Sequence, residues 1–224
     1  MKLVLTAAGK YARFRRFSYE IPKYLLPVKN RTLLHHVIHS FGKLDVIFVG
    51  NKRDIRFANT VKSILYETCN TFETKWIDDT SGQAETLVKA TEGVDGPILV
   101  HNIDTVLLNR YWPFSFDEDC VIDVFESSNR DYSYVVDEGG YAKEIREKSV
   151  ISNKASSGCY LFKDRSFETY FDQDTRYISE MINKMIKDDK SVVVTNTHKA
   201  FDTIVMGTPE EYLINMDSTK LRLL

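Results

Sequence analysis

Lys2-Leu3-Val4-Leu5-Thr6-Ala7-Ala8-Gly9 begins with a short apolar run and ends in small residues. Such a run reads as a buried strand feeding a loop. Working outward, Leu33, Leu34, Val37, Ile38 and Phe41 recur at helical spacing, and Val46–Val49 is a second buried strand. Ile55–Tyr66 carries Ile55, Ala58, Val61, Ile64 and Leu65 on one helical face, and Lys75–Ile77 is a further strand. A helix opens near Gly82 with Ala84, Leu87, Val88 and Thr91 on one side, and the strand Pro97–Val100 runs into His101-Asn102-Ile103-Asp104. Strand and helix in alternation predict a parallel sheet with helices on both faces. Ligands of such sheets bind at the carboxyl ends of the strands. Gly9 and Asp104 both follow a strand and are predicted to share one rim.

After residue 105 the pattern changes to strands separated by turns: Val121–Phe125, Tyr132–Val136, Glu144–Ile145 and Ser157–Phe162, with Asp137-Glu138-Gly139-Gly140 as the hairpin signal. Ile178, Met181, Ile182, Met185 and Ile186 form one helix face, Ser191–Thr195 is a late strand, and Pro209 starts a terminal helix. No repeat or linker interrupts the 224 residues, so a single domain is expected over 1–224, with a parallel half at 1–105 and a mixed half at 106–224.

Composition narrows the function. Thirty Lys and Arg against 32 Asp and Glu argue against a nucleic-acid binder, which would be basic. No apolar run is long enough to span a membrane, and the N-terminus lacks the apolar core of a leader. Cys69, Cys120 and Cys159 are far apart and odd in number, which fits a reducing, cytoplasmic setting. Yet Lys10, Arg13, Arg15, Arg16 and Lys23 crowd together with Glu20 as their only acid. Local positive charge in a neutral chain suggests a small anionic ligand. Gly9 allows close backbone approach, and the loop amides with Lys10 and Arg13 suit phosphate oxygens; a solvated basic surface is the competing reading. His35, His36 and His39 lack a metalloprotease glutamate and read as helix packing.

Ala8-Gly9, Arg13-Phe14, Pro22-Lys23 and Leu25-Leu26-Pro27-Val28 together resemble the opening signature of the sugar-phosphate nucleotidylyltransferases, in particular their short capsule and lipopolysaccharide branch. The resemblance continues through Gly82-Gln83-Ala84-Glu85-Thr86, Asn102-Ile103-Asp104, Tyr132-Ser133-Tyr134-Val135 and Glu147-Lys148. It closes with Ala155, Gly158, Tyr160, Phe162 and Gly207-Thr208-Pro209-Glu210, and so covers nearly the whole chain. It implies an α/β, Rossmann-like GT-A nucleotidyltransferase fold, with a mostly parallel central mixed sheet flanked by helices. The first half would bind the nucleotide and the second the acceptor. It also implies transfer of a nucleoside monophosphate from a triphosphate to a sugar phosphate or similar small phosphate monoester, releasing pyrophosphate for surface-glycan synthesis.

On this resemblance Ala8, Gly9 and Lys10 would meet the phosphates, Arg13 the leaving pyrophosphate, and Lys23 the charge building on the α-phosphate. Asp104 would hold Mg²⁺. Gly82 and Gln83 would read the base, an amide suiting a pyrimidine edge. Glu147 would meet acceptor hydroxyls, Lys148 its phosphate, and Gly158 would let backbone approach the same ligand. Two positions depart from the pattern. Tyr11 and Ala12 replace a glycine and a hydroxyl residue of the phosphate loop. Val205 stands where many relatives have a second metal aspartate, for which Asp202 would substitute if its strand is bulged. These departures leave open an inactive nucleotide-binding homologue, and the shared fold leaves open a GT-A glycosyltransferase. No nucleic acid or membrane partner is expected; a homo-oligomer stays open.

Overall fold

The structure is a computed structural model that describes residues 1–112 and 116–221; the rest of the half 106–224 lies outside the described residues. The first half runs β1 (Lys2–Ala7), α1 (Ala12–Arg16), β2 (Pro27–Val28), β3 (Arg31–Thr32), α2 (Leu33–His39), β4 (Asp45–Asn51), α3 (Ala58–Thr68), β5 (Phe72–Ile77), α4 (Gln83–Ala90) and β6 (Ile98–Asn102). The second runs β7 (Thr105–Leu107), β8 (Cys120–Glu126), β9 (Tyr134–Glu138), β10 (Tyr141–Arg146), β11 (Lys154–Phe162), α5 (Ile178–Lys187), β12 (Val192–Val194), β13 (Thr203–Val205) and α6 (Pro209–Asn215).

Nine strands form one sheet in the order β5-β4-β1-β6-β11-β8-β12-β10-β9. The first four are parallel. Beyond β6 the sheet turns mixed, with β11 antiparallel to β6 and to β8. The far end curls back, because β9 also pairs with β11 through Tyr134 and Ala155. β1 is central, flanked by β4 and β6, so the chain reverses its direction of travel across the sheet between β1 and β6. That reversal opens a crevice at the strand carboxyl ends.

Both sheet faces are buried. Side chains alternate along a strand, so Leu3 and Leu5 join a core with Phe14, Leu34 and Phe48. Val4 joins the opposite core with Val100, Ile122 and Met181. Each such side chain contributes about 1.5–3 kcal/mol when fully buried. Leu99, Cys159 and Leu161 share the first core with Leu3, so the two halves pack as one body.

Sequence and structure differ locally. Ala8–Phe14 reads as loop, but Tyr11 adopts a left-handed turn (φ 49°) and α1 starts at Ala12. Five residues carry no apolar period to reveal it. Ile55–Phe57 belongs to a tighter helical turn, and α3 begins at Ala58. β5 starts earlier than expected, at Phe72, and β9 starts later, at Tyr134, leaving Tyr132 and Ser133 free to face a cavity. The hairpin falls where expected, with Gly139 and Gly140 at φ 58° and 87° joining β9 to β10.

Candidate active site

Two cavities of about 310 and 470 Å³ adjoin at the strand ends. Ala8, Gly9, Lys10, Gly82, Gln83 and Asp104 line the larger one, and Arg13, Glu147 and Gly158 line the smaller. Lys23, Gln83, Asn102 and Asp104 belong to both, forming the partition between them.

The partition is held from several elements. Pro22 precedes a single helical turn, Lys23–Leu25, that buries Tyr24 and sends Lys23 inward. Its ammonium lies 2.5 Å from Asp104 Oδ2, and both side chains are largely buried. Burial acts to raise the Asp104 pKa, but the Lys23 charge and hydrogen bond outweigh it, and the carboxylate stays below its ordinary range. Gln83 donates from Nε2 to Thr6 Oγ1 at 3.1 Å and to Asn102 Oδ1, which leaves its own carbonyl oxygen for a ligand. Gly82 precedes α4 against the Arg176 backbone, where a Cβ would collide with the Arg176 carbonyl.

β11 carries a register shift between Ser156 and Tyr160, opposite β8. Gly158 sits within it at φ 77°, and a Cβ there would run into the Asn102 amide. The shift presents Ser157 and Gly158 to the smaller cavity. Glu147 Oε2 accepts from Ser133 Oγ, and from Ser179 Oγ at 3.0 Å. Glu211 caps α6: its Oε2 accepts from the Gly207 and Thr208 amides at 3.0 Å each, while Tyr132 OH donates to Oε1 at 3.3 Å.

Several expected residues sit elsewhere. Arg13 lines the smaller cavity rather than the one holding Gly9 and Gly82; its helix α1 starts directly after the left-handed residue Tyr11. Lys148 is not in the wall; it adopts φ 52° and donates to Tyr177 OH at 3.2 Å. The bulge that would bring Asp202 to Asp104 is absent: β13 pairs in regular register with β7, Thr203 opposite Leu107 and Val205 opposite Thr105. Asp202 therefore lies beside Leu108, accepting from Asn109 Nδ2 at 2.8 Å. Arg15 turns toward Asp54 at 3.8 Å. Tyr11 lines the larger cavity, with its ring against Gly9 and its hydroxyl donated to the Ala7 carbonyl.

Among the described residues no three metal-ligating side chains converge. Asp104 offers one hard oxygen donor, and Val205 on the same wall offers none. Mg²⁺ keeps several waters and binds through one or two carboxylates plus phosphates, so this donor set fits Mg²⁺ only as a partner of bound phosphate. Among the described residues no helix is long and apolar enough to cross a membrane.

Sequence reasoning did not single out Asn102, Glu211, Ser133, Ser179 or Tyr177 as site residues. For Glu211 a signal existed, since Thr208 followed three residues later by Glu is a capping box. For Asn102 the signal was its place two residues before Asp104, but its partners Gln83 and Gly158 are distant in the chain.

No family model and no curated protein matches the chain. Solved structures do. A nucleoside-diphosphate-sugar pyrophosphorylase from Vibrio cholerae RC9 is similar at 24% identity and TM-score 0.84, over 96% of this chain and 99% of that one. The inositol-1-phosphate CTP transferase from T. maritima is similar at 12% identity and TM-score 0.75, over 94% and 90%. A UDP-glucose pyrophosphorylase from Acinetobacter baumanii is similar at 17% identity and TM-score 0.72, over 96% and 91%. The chain has the fold these nucleotidyltransferases share.

Proposed function

We propose that the chain is a nucleotidyltransferase, moving a nucleoside monophosphate from a triphosphate to a sugar phosphate or similar small phosphate monoester. The observation that carries this reading is the Lys23–Asp104 pair in the partition common to two adjoining cavities. An acceptor phosphate oxygen in the smaller cavity attacks the α-phosphorus of a triphosphate in the larger. The new P–O bond forms as the bond from the α-phosphorus to the α–β bridging oxygen breaks, and pyrophosphate leaves with that electron pair. Such transfer needs positioning and charge neutralisation rather than a covalent intermediate. Lys23 stands where charge builds, and Arg13 meets phosphate from the acceptor side. Asp104 would hold Mg²⁺, which when bound offsets triphosphate charge. The free Gln83 carbonyl accepts from an N–H on a pyrimidine edge, and Glu147 Oε1 meets an acceptor donor. The halves 1–105 and 106–224 divide into nucleotide and acceptor sides. The three buried free cysteines suit a reducing cytoplasm, where such products supply capsule or other surface-glycan assembly.

The test is pyrophosphate release from CTP, UTP or dTTP with a panel of phosphate monoesters, with and without Mg²⁺. Release is expected for one pyrimidine triphosphate, dependent on Mg²⁺ and abolished in Asp104→Asn; full activity in that variant would remove Asp104 from the reaction. A second reading, nucleotide binding without turnover, is favoured by the Tyr11 ring against Gly9. Nucleotide binding with no pyrophosphate release from any acceptor would select it.

A further inference from the structure

The acceptor-side wall carries more negative than positive charge. Asp104, Asp131, Glu147 and Glu211 line it against Arg13 and Lys23. Lys23 is matched by Asp104. Glu147 and Glu211 take hydrogen bonds from hydroxyls and backbone amides, which bring no opposite charge. A phosphate monoester brings about two further negative charges, so a neutral acceptor would deepen the imbalance.

One corner of the cavity shows what offsets it. Phe125 and Tyr132 meet there with ring centroids 5.6 Å apart, Tyr132 donates to Glu211, and Asp131 is the neighbouring residue. Aromatic faces attract ammonium groups, and carboxylates beside them add a direct charge. Tyr177, another ring of this wall, already meets a cation from outside it, with the Lys148 ammonium 5.1 Å from its ring centroid. Ser157, nearly fully buried on this wall, has a hydroxyl oxygen without a hydrogen-bond partner among the described residues, as in a site completed by a polar ligand.

Resting on the transferase reading, we propose that the acceptor is a phosphate monoester whose far end carries a positive charge, an amine or quaternary ammonium. Its phosphate lies at the partition with Lys23, and its cationic end in the corner formed by Phe125, Tyr132, Asp131 and Glu211.

The test compares choline phosphate with its uncharged carbon isostere, 3,3-dimethylbutyl phosphate, by calorimetric titration of the whole chain. The cationic probe is expected to bind at least about tenfold more tightly. Glu211→Gln keeps the helix cap, because glutamine serves the same capping position. In that variant the preference for the cationic probe over the isostere should fall toward one. Equal affinities, a preference unmoved by Glu211→Gln, or no binding of either probe at millimolar concentration would overturn the inference. Pyrophosphate release with glucose 1-phosphate but not with ammonium phosphates would overturn it too, and would leave the transferase reading standing. Failure of every nucleotide to bind would instead remove the transferase reading, and the paired affinities would still decide what the corner recognises.

Discussion

Gly158→Ala places a methyl group where two constraints meet. The backbone there is left-handed at φ 77°, and the added Cβ would occupy the space of the Asn102 amide. The backbone term costs about 1–2 kcal/mol. Asn102 can relieve the collision only by turning away from Gln83, losing a hydrogen bond of about 1 kcal/mol. Residual overpacking adds about 1 kcal/mol or more. The total, about 3–4 kcal/mol, corresponds to a fall of roughly 10 °C in Tm for a domain of this size. Gly139→Ala is the control: it also has positive φ, 58°, but nothing lies within 4 Å of its new methyl, so only the backbone term applies. Thermal unfolding of both variants, and of Gly158→Ala combined with Asn102→Ala, separates the terms. The double variant should recover part of the loss, since the two sites are in contact. If Gly158→Ala loses no more than Gly139→Ala, Asn102 does not brace the partition and the reasoning fails.

Arg110 and Asp123 form a fully buried pair, with Arg110 Nε 3.1 Å from Asp123 Oδ1 and a further Arg110 donor on Thr203 Oγ1 at 2.6 Å. Among the described residues, Arg110→Ala leaves that carboxylate with only Thr195 Oγ1 and the His198 ring, each at 3.4 Å, and should cost about 3–5 kcal/mol in urea unfolding; a loss under about 1 kcal/mol would mean that water or His198 takes the place of the guanidinium. Lys23→Met should lower pyrophosphate release by about 100-fold or more at unchanged secondary structure, and an unchanged rate would take the ammonium out of the chemistry. Burial lowers the pKa of His36 and His101 below the unfolded value. Their contribution is therefore complete above about pH 6.5 and is lost as pH falls below it. Unfolding midpoints should drop from about pH 7 to about pH 5, and a flat profile would mean that neither ring is held neutral.

The parallel half was legible because its signal is local. Leu3–Leu5, Val46–Val49 and Ile98–Val100 are uninterrupted apolar runs, which sheets covered on both faces require. The common rim of Gly9 and Asp104 followed from strand order alone. What stayed hidden depends on contacts between distant segments. The pairing of β7 with β13 joins Thr105–Leu107 to Thr203–Val205, and neither piece is long enough to announce a strand. That pairing is what keeps Asp202 from Asp104. Arg13 was legible as a residue near the crevice but not in its side of it, because the left-handed residue Tyr11 just before α1 carries no sequence signal of its own. Glu147 was legible as a cavity residue, but the hold of Ser133 and Ser179 on its Oε2, from two other segments, was not.

The bridge between Tyr134 and Ala155 has a consequence for the sheet as a whole. In strand order β5 and β9 are both terminal, and each would ordinarily offer a row of unpaired amides to solvent or to another chain. The return of β9 to β11 pins the first residue of one of these rims, making β11, β8, β12, β10 and β9 a closed ring, while among the described residues no strand pairs with the outer side of β5. Amide protons of β9 should thus exchange with solvent through rarer openings than those on the outer side of β5. Tyr132 and Ser133, just ahead of β9, hang from a closed hoop rather than a fraying margin, so the wall of the smaller cavity keeps its shape when the opposite rim breathes.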